Sequence, residues 1–153
     1  MKKTVFMLLV ICLPQVSLKA QTQQDSEAIR ETVLDYIEGW YTGDSARMGQ
    51  SLHTELAKWG IVPSRDGKGT EMMKATYHDM VNWTLYQKNR PKDVNAVKDE
   101  ITIHVVGKNI ASVTCVSKEY IDYLHLTRTD KGWKILNVLW EPNYKELTNK
   151  QKE

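Results

Sequence analysis

The fold is decided by residues 101–140, which read ITIHVVGKNIASVTCVSKEYIDYLHLTRTDKGWKILNVLW. Apolar and polar side chains alternate through this stretch, which is typical of half-buried β-strands. Three short segments interrupt the alternation with residues that favour tight turns: Gly107-Lys108-Asn109, Lys118-Glu119 and Asp130-Lys131-Gly132. The stretch therefore predicts four consecutive antiparallel strands.

Short loops at these turns fix the register, because a slip of one residue would turn a whole strand over. All three registers place the same apolar side chains on one face: Ile101, Ile103, Val105, Ala111, Val113, Cys115, Leu124, Leu126, Leu136, Val138 and Trp140. Tyr120 and Asp122 share that face. The opposite face, called the outer face below, carries Thr102, His104, Ser112, Thr114, Val116, Ile121, Tyr123, His125, Ile135, Asn137 and Leu139. This mixed outer face suits a contact between two copies of the chain.

Helices are predicted before the strands. Apolar residues recur at the spacing of one helical face in Ile29, Val33, Tyr36, Ile37 and Trp40. A cap at Asp25 or Ser26 begins this helix and Gly43 ends it. Asp44 or Ser45 caps a second helix that continues to about Leu52. Residues 60–69 are predicted as a loop, and Thr70 as the cap of a third helix whose face holds Met73, Tyr77, Met80, Val81 and Thr84. Helices followed by an antiparallel meander indicate an α+β fold.

Residues 1–20 have the features of a secretory signal peptide. Lys2 and Lys3 precede an apolar run from Val5 to Leu13, and Ala20 is a small residue suited to cleavage. The run is shorter than the roughly 20 residues that a membrane helix needs. We therefore expect an exported chain, periplasmic or secreted, with a domain over residues 21–142, a polar tail over residues 143–153 and no membrane attachment after cleavage.

The charge balance argues against a nucleic-acid partner, which usually requires a strong basic excess. The chain has 21 Lys and Arg against 19 Asp and Glu, and loss of the signal segment moves its formal net charge from +2 to −1. Cys115 is then the single remaining cysteine, so no internal disulfide is expected. His53 with Glu55, and His78 with Asp79, lack the arrangement of a metal site, and we expect neither a metal nor a cofactor.

Asp122 is an acid among the apolar side chains of the inward face. Because an unpaired buried carboxylate costs several kcal/mol, it must be hydrogen-bonded, hydrated or protonated. One interpretation is a cavity carboxylate that binds a polar group of a ligand or moves a proton, with Tyr36, Trp40 and Trp140 as stacking surfaces. The other is a structural carboxylate satisfied by Tyr120, by the Trp140 N–H or by the backbone, with the rings as ordinary core.

The sequence resembles the putative lumazine-binding family, which belongs to the nuclear transport factor 2-like superfamily. The resemblance lies in EGWYTGD (38–44), SLHTELA (51–57), EYIDYLHL (119–126) and GWKILNVLW (132–140), and extends over about residues 26–142. It implies a cone in which helices pack on a bent antiparallel sheet, a pocket at the mouth of the cone, and frequent dimers through the outer face. In isomerase relatives an Asp in the pocket removes a proton beside a carbonyl, and Asp122 is the candidate by placement.

Three hypotheses for the function follow. The leading one is an exported domain that binds a small, partly apolar molecule, without catalysis, through Asp122, Tyr120, Trp140, Trp40 and Tyr36. The alternative is an enzyme of isomerase or dehydratase type, with Asp122 as general base and Tyr120 as hydrogen-bond donor. The third is a structural or partner-docking domain whose interior is filled by its own side chains.

Overall fold

The computed structural model describes residues 17–88 and 100–145, with side chains from residue 22 onward. The helices are α1 (Ser17–Thr42), α2 (Ser45–Ser51) and α3 (Tyr77–Gln87). The strands are β1 (Leu52–Pro63), β2 (Thr70–Ala75), β3 (Glu100–Val106), β4 (Ile110–Val116), β5 (Tyr120–Thr129) and β6 (Gly132–Pro142). Residues 1–16 of the predicted signal peptide and residues 146–153 of the predicted tail lie outside the described residues. The α+β class is confirmed.

The apolar stripe of α1 forms one wall of the core. Ile29 and Val33 are fully buried, as their helical spacing predicts. Gly43 has a φ of 72°, a left-handed conformation that ends the helix without strain. Asp44 then caps α2 by accepting a hydrogen bond from the backbone N–H of Arg47 at 3.0 Å. The predicted end of the first helix and the predicted start of the second are both confirmed. The predicted cap at Asp25 or Ser26 is wrong, because α1 already begins at Ser17.

The predicted loop and the start of the predicted third helix are wrong, because these residues form the antiparallel hairpin β1–β2. Gly67 and Gly69 have positive φ angles, and the Ser64 N–H donates to the Gly69 carbonyl across the turn. The chain therefore reverses tightly, and Thr70 begins an edge strand where a helix cap was predicted. Met73, which the helical spacing assigns to the third helix, lies on β2 instead.

The helix α3 begins later, at a capping box. The Thr76 side chain accepts a hydrogen bond from the Asp79 N–H, and the Asp79 carboxylate accepts one from the Thr76 N–H at 2.8 Å. The Thr76 hydroxyl also donates to this carboxylate, at 2.6 Å, and this bond together with the one from the Thr76 N–H lowers the pKa of the exposed Asp79. The position of the box explains why the chain changes from strand to helix at Thr76.

The sheet has six strands in the order β2-β1-β6-β5-β4-β3. The strand β1 runs parallel to β6, whereas all other neighbours are antiparallel. The sheet is therefore mixed and larger than the predicted four-stranded meander. The predicted pairing of β4 with β5 is confirmed, with Val113 opposite Leu124 and Cys115 opposite Asp122.

Two irregularities in the strand pairing correct the predicted inward face. One lies between Ile103 and Val105, so that Val106 instead of Val105 pairs with Ala111, and Val105 is exposed. The other lies beside Leu126, which pairs with Ile135 and not with Leu136. Ile135 is consequently in the core, and Leu136 is turned toward solvent. A bulge of this kind places one extra residue in one strand, so the register beyond it shifts by one residue.

The capping box gives a direct test of where α3 begins. Thr76→Ala removes the acceptor for the Asp79 N–H and should lower the free energy of unfolding by about 1 kcal/mol. Thr70→Ala, at the cap position predicted from the sequence, should change it by less than about 0.5 kcal/mol, since Thr70 is exposed on an edge strand. Urea unfolding of both variants measures the difference, and equal losses would contradict the assignment.

Candidate functional site

A cavity of about 130 Å³ lies between the helices and the sheet, and we call it the central cavity. Its walls come from α1, α3 and four strands. The lining residues are Tyr36, Ile37, Trp40, Lys58, Met73, Met80, Trp83, Tyr120, Asp122 and Trp140. Aromatic and other apolar side chains dominate this lining, so its few polar groups determine how a ligand would be oriented.

Two opposite charges lie at this cavity. The Lys58 Nζ is 3.1 Å from the Asp122 Oδ1, and both side chains are buried. The Tyr36 hydroxyl donates to the same Oδ1 at 2.9 Å, and the Lys58 ammonium donates to the Tyr36 Oη. The three groups form a closed triangle of charge-assisted hydrogen bonds.

The strand pairing explains why Lys58 points inward. Leu56, Lys58 and Gly60 are buried on alternate positions of β1, while Ala57 is exposed. Trp140 on the neighbouring strand β6 pairs with Gly60 of β1 on one side and with Asp122 of β5 on the other. The sheet thus places Lys58 and Asp122 on one face with a single strand between them.

Burial changes the protonation behaviour of two of these groups. It lowers the pKa of Lys58, although the Asp122 carboxylate partly opposes that change. It raises the pKa of Tyr36 well above its usual value, and the nearby Asp122 charge raises it further. The Lys58 Nζ also lies 5.1 Å from the centre of the Tyr36 ring and 5.0 Å from that of Trp140, so aromatic faces replace part of its lost hydration.

Aromatic side chains form the apolar walls. The rings of Tyr120 and Trp140 meet edge to face with centroids 5.3 Å apart. The Trp140 indole lies directly over Gly60, where an added Cβ would be 2.5 Å from the ring. Only glycine allows this approach, so Gly60 sets the position of the indole at the cavity. Trp40 and Trp83 are partly exposed and contribute to its rim.

A buried polar cluster holds the β4–β5 turn beside the cavity. The Tyr41 hydroxyl donates to the Ser117 Oγ at 3.3 Å, and the Asn143 side-chain amide donates to the Ser117 carbonyl at 2.9 Å. The Ser117 Oγ also accepts from the Tyr120 N–H at 3.1 Å. These bonds fix the backbone from which the Tyr120 ring enters the cavity. Burial raises the pKa of Tyr41 above its usual range.

The structure brings together all five side chains selected from the sequence: Asp122, Tyr120, Trp140, Trp40 and Tyr36. Tyr36 and Lys58 donate to the Asp122 Oδ1, and neither is among the partners predicted for this carboxylate from the sequence. Sequence reasoning missed Lys58, since no strand was predicted for residues 52–63. The alternation of Leu56, Lys58 and Gly60 was the available signal, and it is too short to decide a face.

No group of three or more His, Cys, Asp or Glu side chains within residues 17–88 and 100–145 could hold a metal ion. Among the helices that are described, none is long and apolar enough to cross a membrane. Cys115 is buried in the core.

The family described as "Putative lumazine-binding" matches residues 24–141. No curated protein matches the chain. Among solved structures, an NTF2-like protein with a cystatin-like fold from Novosphingobium aromaticivorans is 15% identical, with a TM-score of 0.62 over 88% of this chain and 92% of that one. An NTF2-like protein of unknown function from Silicibacter pomeroyi is 13% identical, with a TM-score of 0.60 over 80% and 98%.

A third solved structure, named as a putative dehydratase of the NTF2-like family from Streptomyces avermitilis, is 14% identical. Its TM-score is 0.53 over 79% of this chain and 97% of that one. At this level of identity the three similarities establish the NTF2-like, cystatin-like fold alone. They do not carry a function over to this chain, because one fold hosts many unrelated functions.

The buried ion pair should be sensitive to removal of one partner. Lys58→Met leaves the Asp122 carboxylate buried without its counter-charge and should lower the free energy of unfolding by about 3–5 kcal/mol. The double variant Lys58→Met/Asp122→Leu should recover most of that loss, because it also removes the isolated charge. Urea unfolding measures both values. A double variant no more stable than Lys58→Met would contradict the paired arrangement.

The raised pKa of Tyr36 predicts a pH-dependent contribution to stability. The folded state holds the phenolic proton more tightly than the unfolded chain, whose tyrosine titrates near pH 10. The contribution of Tyr36 is therefore complete below about pH 10 and is lost as the pH rises above it. The difference in unfolding free energy between the native chain and Tyr36→Phe should stay constant from pH 7 to about pH 9.5.

Above about pH 10 the unfolding free energy of the native chain should fall relative to that of Tyr36→Phe. Urea unfolding at each pH measures it. The lowered pKa of Lys58 changes the unfolding free energy in the opposite direction as the pH rises. Lys58 is present in both proteins, so its effect largely cancels in the difference between them. A difference that does not change up to pH 11 would show that Tyr36 is not a buried, protonated donor.

Proposed function

Because this chain belongs to the family described as putative lumazine-binding, with an NTF2-like fold, we propose that it binds a small, flat, partly apolar molecule in the central cavity. The observation that carries the proposal is the charged pair of Lys58 and Asp122 among aromatic walls. Removing two ions from water costs several kcal/mol for each, and apolar residues of similar size are often at least as stable. Ligand recognition explains why a charged pair occupies this place, whereas its contribution to stability does not.

The polar groups favour a ligand edge that carries both a hydrogen-bond donor and an acceptor. The Lys58 ammonium donates, and the Asp122 carboxylate accepts. Both protein donors reach the carboxylate at Oδ1, so Oδ2 is the oxygen that would receive a ligand N–H. A cyclic amide, with its C=O beside its N–H, presents this pattern, and lumazine, the molecule in the family's name, is a flat two-ring compound of that kind.

The size and lining of the cavity support the same class. An apolar cavity of about 150 Å³ admits a single benzene ring, so about 130 Å³ encloses one ring and leaves a second near the rim. Trp40, Trp83 and Met73 are partly or largely exposed there and would cover the outer part of the ligand. Space in the cavity favours ligand binding over the hypothesis of a domain filled by its own side chains.

An enzyme of isomerase or dehydratase type is the second candidate, favoured by the placement of Asp122 and Tyr120 at one cavity. One solved structure with this fold is named as a putative dehydratase. As a general base, Asp122 would take a substrate proton through Oδ2 while Oδ1 remains bound to Lys58 and Tyr36. A carboxylate that is already held by two donors is better suited to accept a ligand hydrogen bond than to act as a general base.

Export and dimer formation are part of the proposal. Residues 1–20 support a periplasmic or secreted protein through their signal-peptide pattern. The outer face supports a homodimer, because Tyr123 and Leu139 are exposed on it and the bulge in β3 adds Val105. Apolar side chains gathered on one face are typical of subunit contacts.

Calorimetric titration of the protein with lumazine tests the binding proposal. We expect saturable binding with one ligand per chain. Trp140→Phe should weaken it by about tenfold, since a smaller ring loses stacking area. Trp59→Phe is the matched control, because Trp59 lies on the same sheet but does not line the cavity, and its ring faces Lys74. Affinity should be unchanged in that control.

Asp122→Asn separates the two candidates. A binder should keep part of its affinity, because an amide oxygen still accepts a hydrogen bond, whereas base catalysis on any substrate should fall by a factor of at least about 100. Absence of saturable binding by lumazine and by other one- and two-ring cyclic amides would contradict the proposed function.

A further inference from the structure

The Lys58 side chain lines the central cavity and carries a primary amine. We propose that Lys58 forms a reversible imine with the aldehyde or ketone group of a ring-bearing molecule, an inference that rests on the proposed function because the same cavity must admit the ligand. Lys58 lines the cavity between the Tyr36 and Trp140 rings. A flat ring carrying a carbonyl would lie against these aromatic walls with its carbonyl directed at the Nζ.

The groups that imine formation requires surround the amine. The Asp122 Oδ1 at 3.1 Å takes one proton from the ammonium, which leaves a neutral amine. The nitrogen lone pair then forms a bond to the carbonyl carbon, and the carbonyl oxygen becomes a hydroxyl with the proton held by Asp122. A second nitrogen proton then moves to that hydroxyl, and the carbon–oxygen bond breaks to release water. The nitrogen lone pair forms the second carbon–nitrogen bond, which completes the protonated imine.

The overall step is balanced without an oxidant or a reductant. An ammonium and a carbonyl become a protonated imine and one water, so the three nitrogen protons end as one on nitrogen and two on water. The single positive charge stays at the same place. The Asp122 carboxylate and the two rings that stabilise the Lys58 ammonium would therefore stabilise the protonated imine as well.

Burial makes Lys58 different from the other lysines whose side chains are described within residues 22–88 and 100–145. Lys58 is the one buried lysine among them. Burial lowers its pKa and so raises the fraction of neutral, nucleophilic amine. Lys74 is the matched comparison. Its Nζ also lies over an indole, 4.3 Å from the centre of the Trp59 ring, but the side chain is exposed and does not line the cavity.

Reductive trapping tests the proposal on the intact protein. The native chain is incubated at neutral pH with benzaldehyde, whose single ring suits the cavity volume, and with cyanoborohydride, which converts an imine into a stable benzylamine. We expect one benzyl group per chain, found on Lys58 by peptide mapping and formed at least about tenfold faster than on Lys74. Lys74→Met should label like the native chain. Lys58→Arg, which keeps the charge next to Asp122, should lose the fast phase.

Peptide mapping of the native chain decides the question even if a Lys58 variant does not fold. Labelling spread over exposed lysines, with Lys58 no faster than Lys74, would overturn the imine. Benzamide, which carries the ring without an electrophilic carbonyl, separates this failure from failure of the proposed function. Saturable benzamide binding without fast labelling refutes the imine alone, and absence of both refutes the imine together with the binding of a small ring.

Discussion

Two opposite charges lie 3.1 Å apart, on Lys58 and Asp122, where the sheet and the helices exclude most of the solvent. Neither ion would be stable there alone, since an unpaired buried charge costs several kcal/mol, a large part of the 5–15 kcal/mol that stabilises a domain. The pair therefore requires β1, β6 and β5 to keep their register, and it requires the Tyr36 hydroxyl on α1 as a further donor. One electrostatic constraint thus joins the helical layer to the sheet at the central cavity.

The remaining walls follow from that arrangement. Gly60 leaves room for the Trp140 indole, which lies near the Lys58 ammonium and meets the Tyr120 ring edge to face. The Ser117 cluster holds the turn that carries Tyr120. The cavity is thus built from positions set by backbone geometry, and rigid walls with few polar groups are suited to orienting a small ligand.

Much of this arrangement was accessible from the sequence. Strict alternation and clear turn residues gave the register of β4 with β5, and so placed Asp122 inward beside Tyr120 and near Trp140. Local patterns did not reveal the β1–β2 hairpin, because β1 gains its place through a parallel pairing with a strand far along the chain. Lys58 was missed for that reason. The bulges at Val105 and Leu126 were also unpredictable, since each depends on packing across neighbouring strands.

Native mass spectrometry of the chain purified from the cells that produce it tests most directly whether the charged pair serves a ligand. We expect a small molecule bound one per chain, and a bare polypeptide mass for Lys58→Met/Asp122→Leu prepared in the same way. That double variant replaces the ion pair with apolar side chains of similar size, so its loss of ligand would report recognition and not unfolding. Equal occupancy in both proteins, or a bare mass for the native chain, would contradict a ligand-binding role for the Lys58–Asp122 pair.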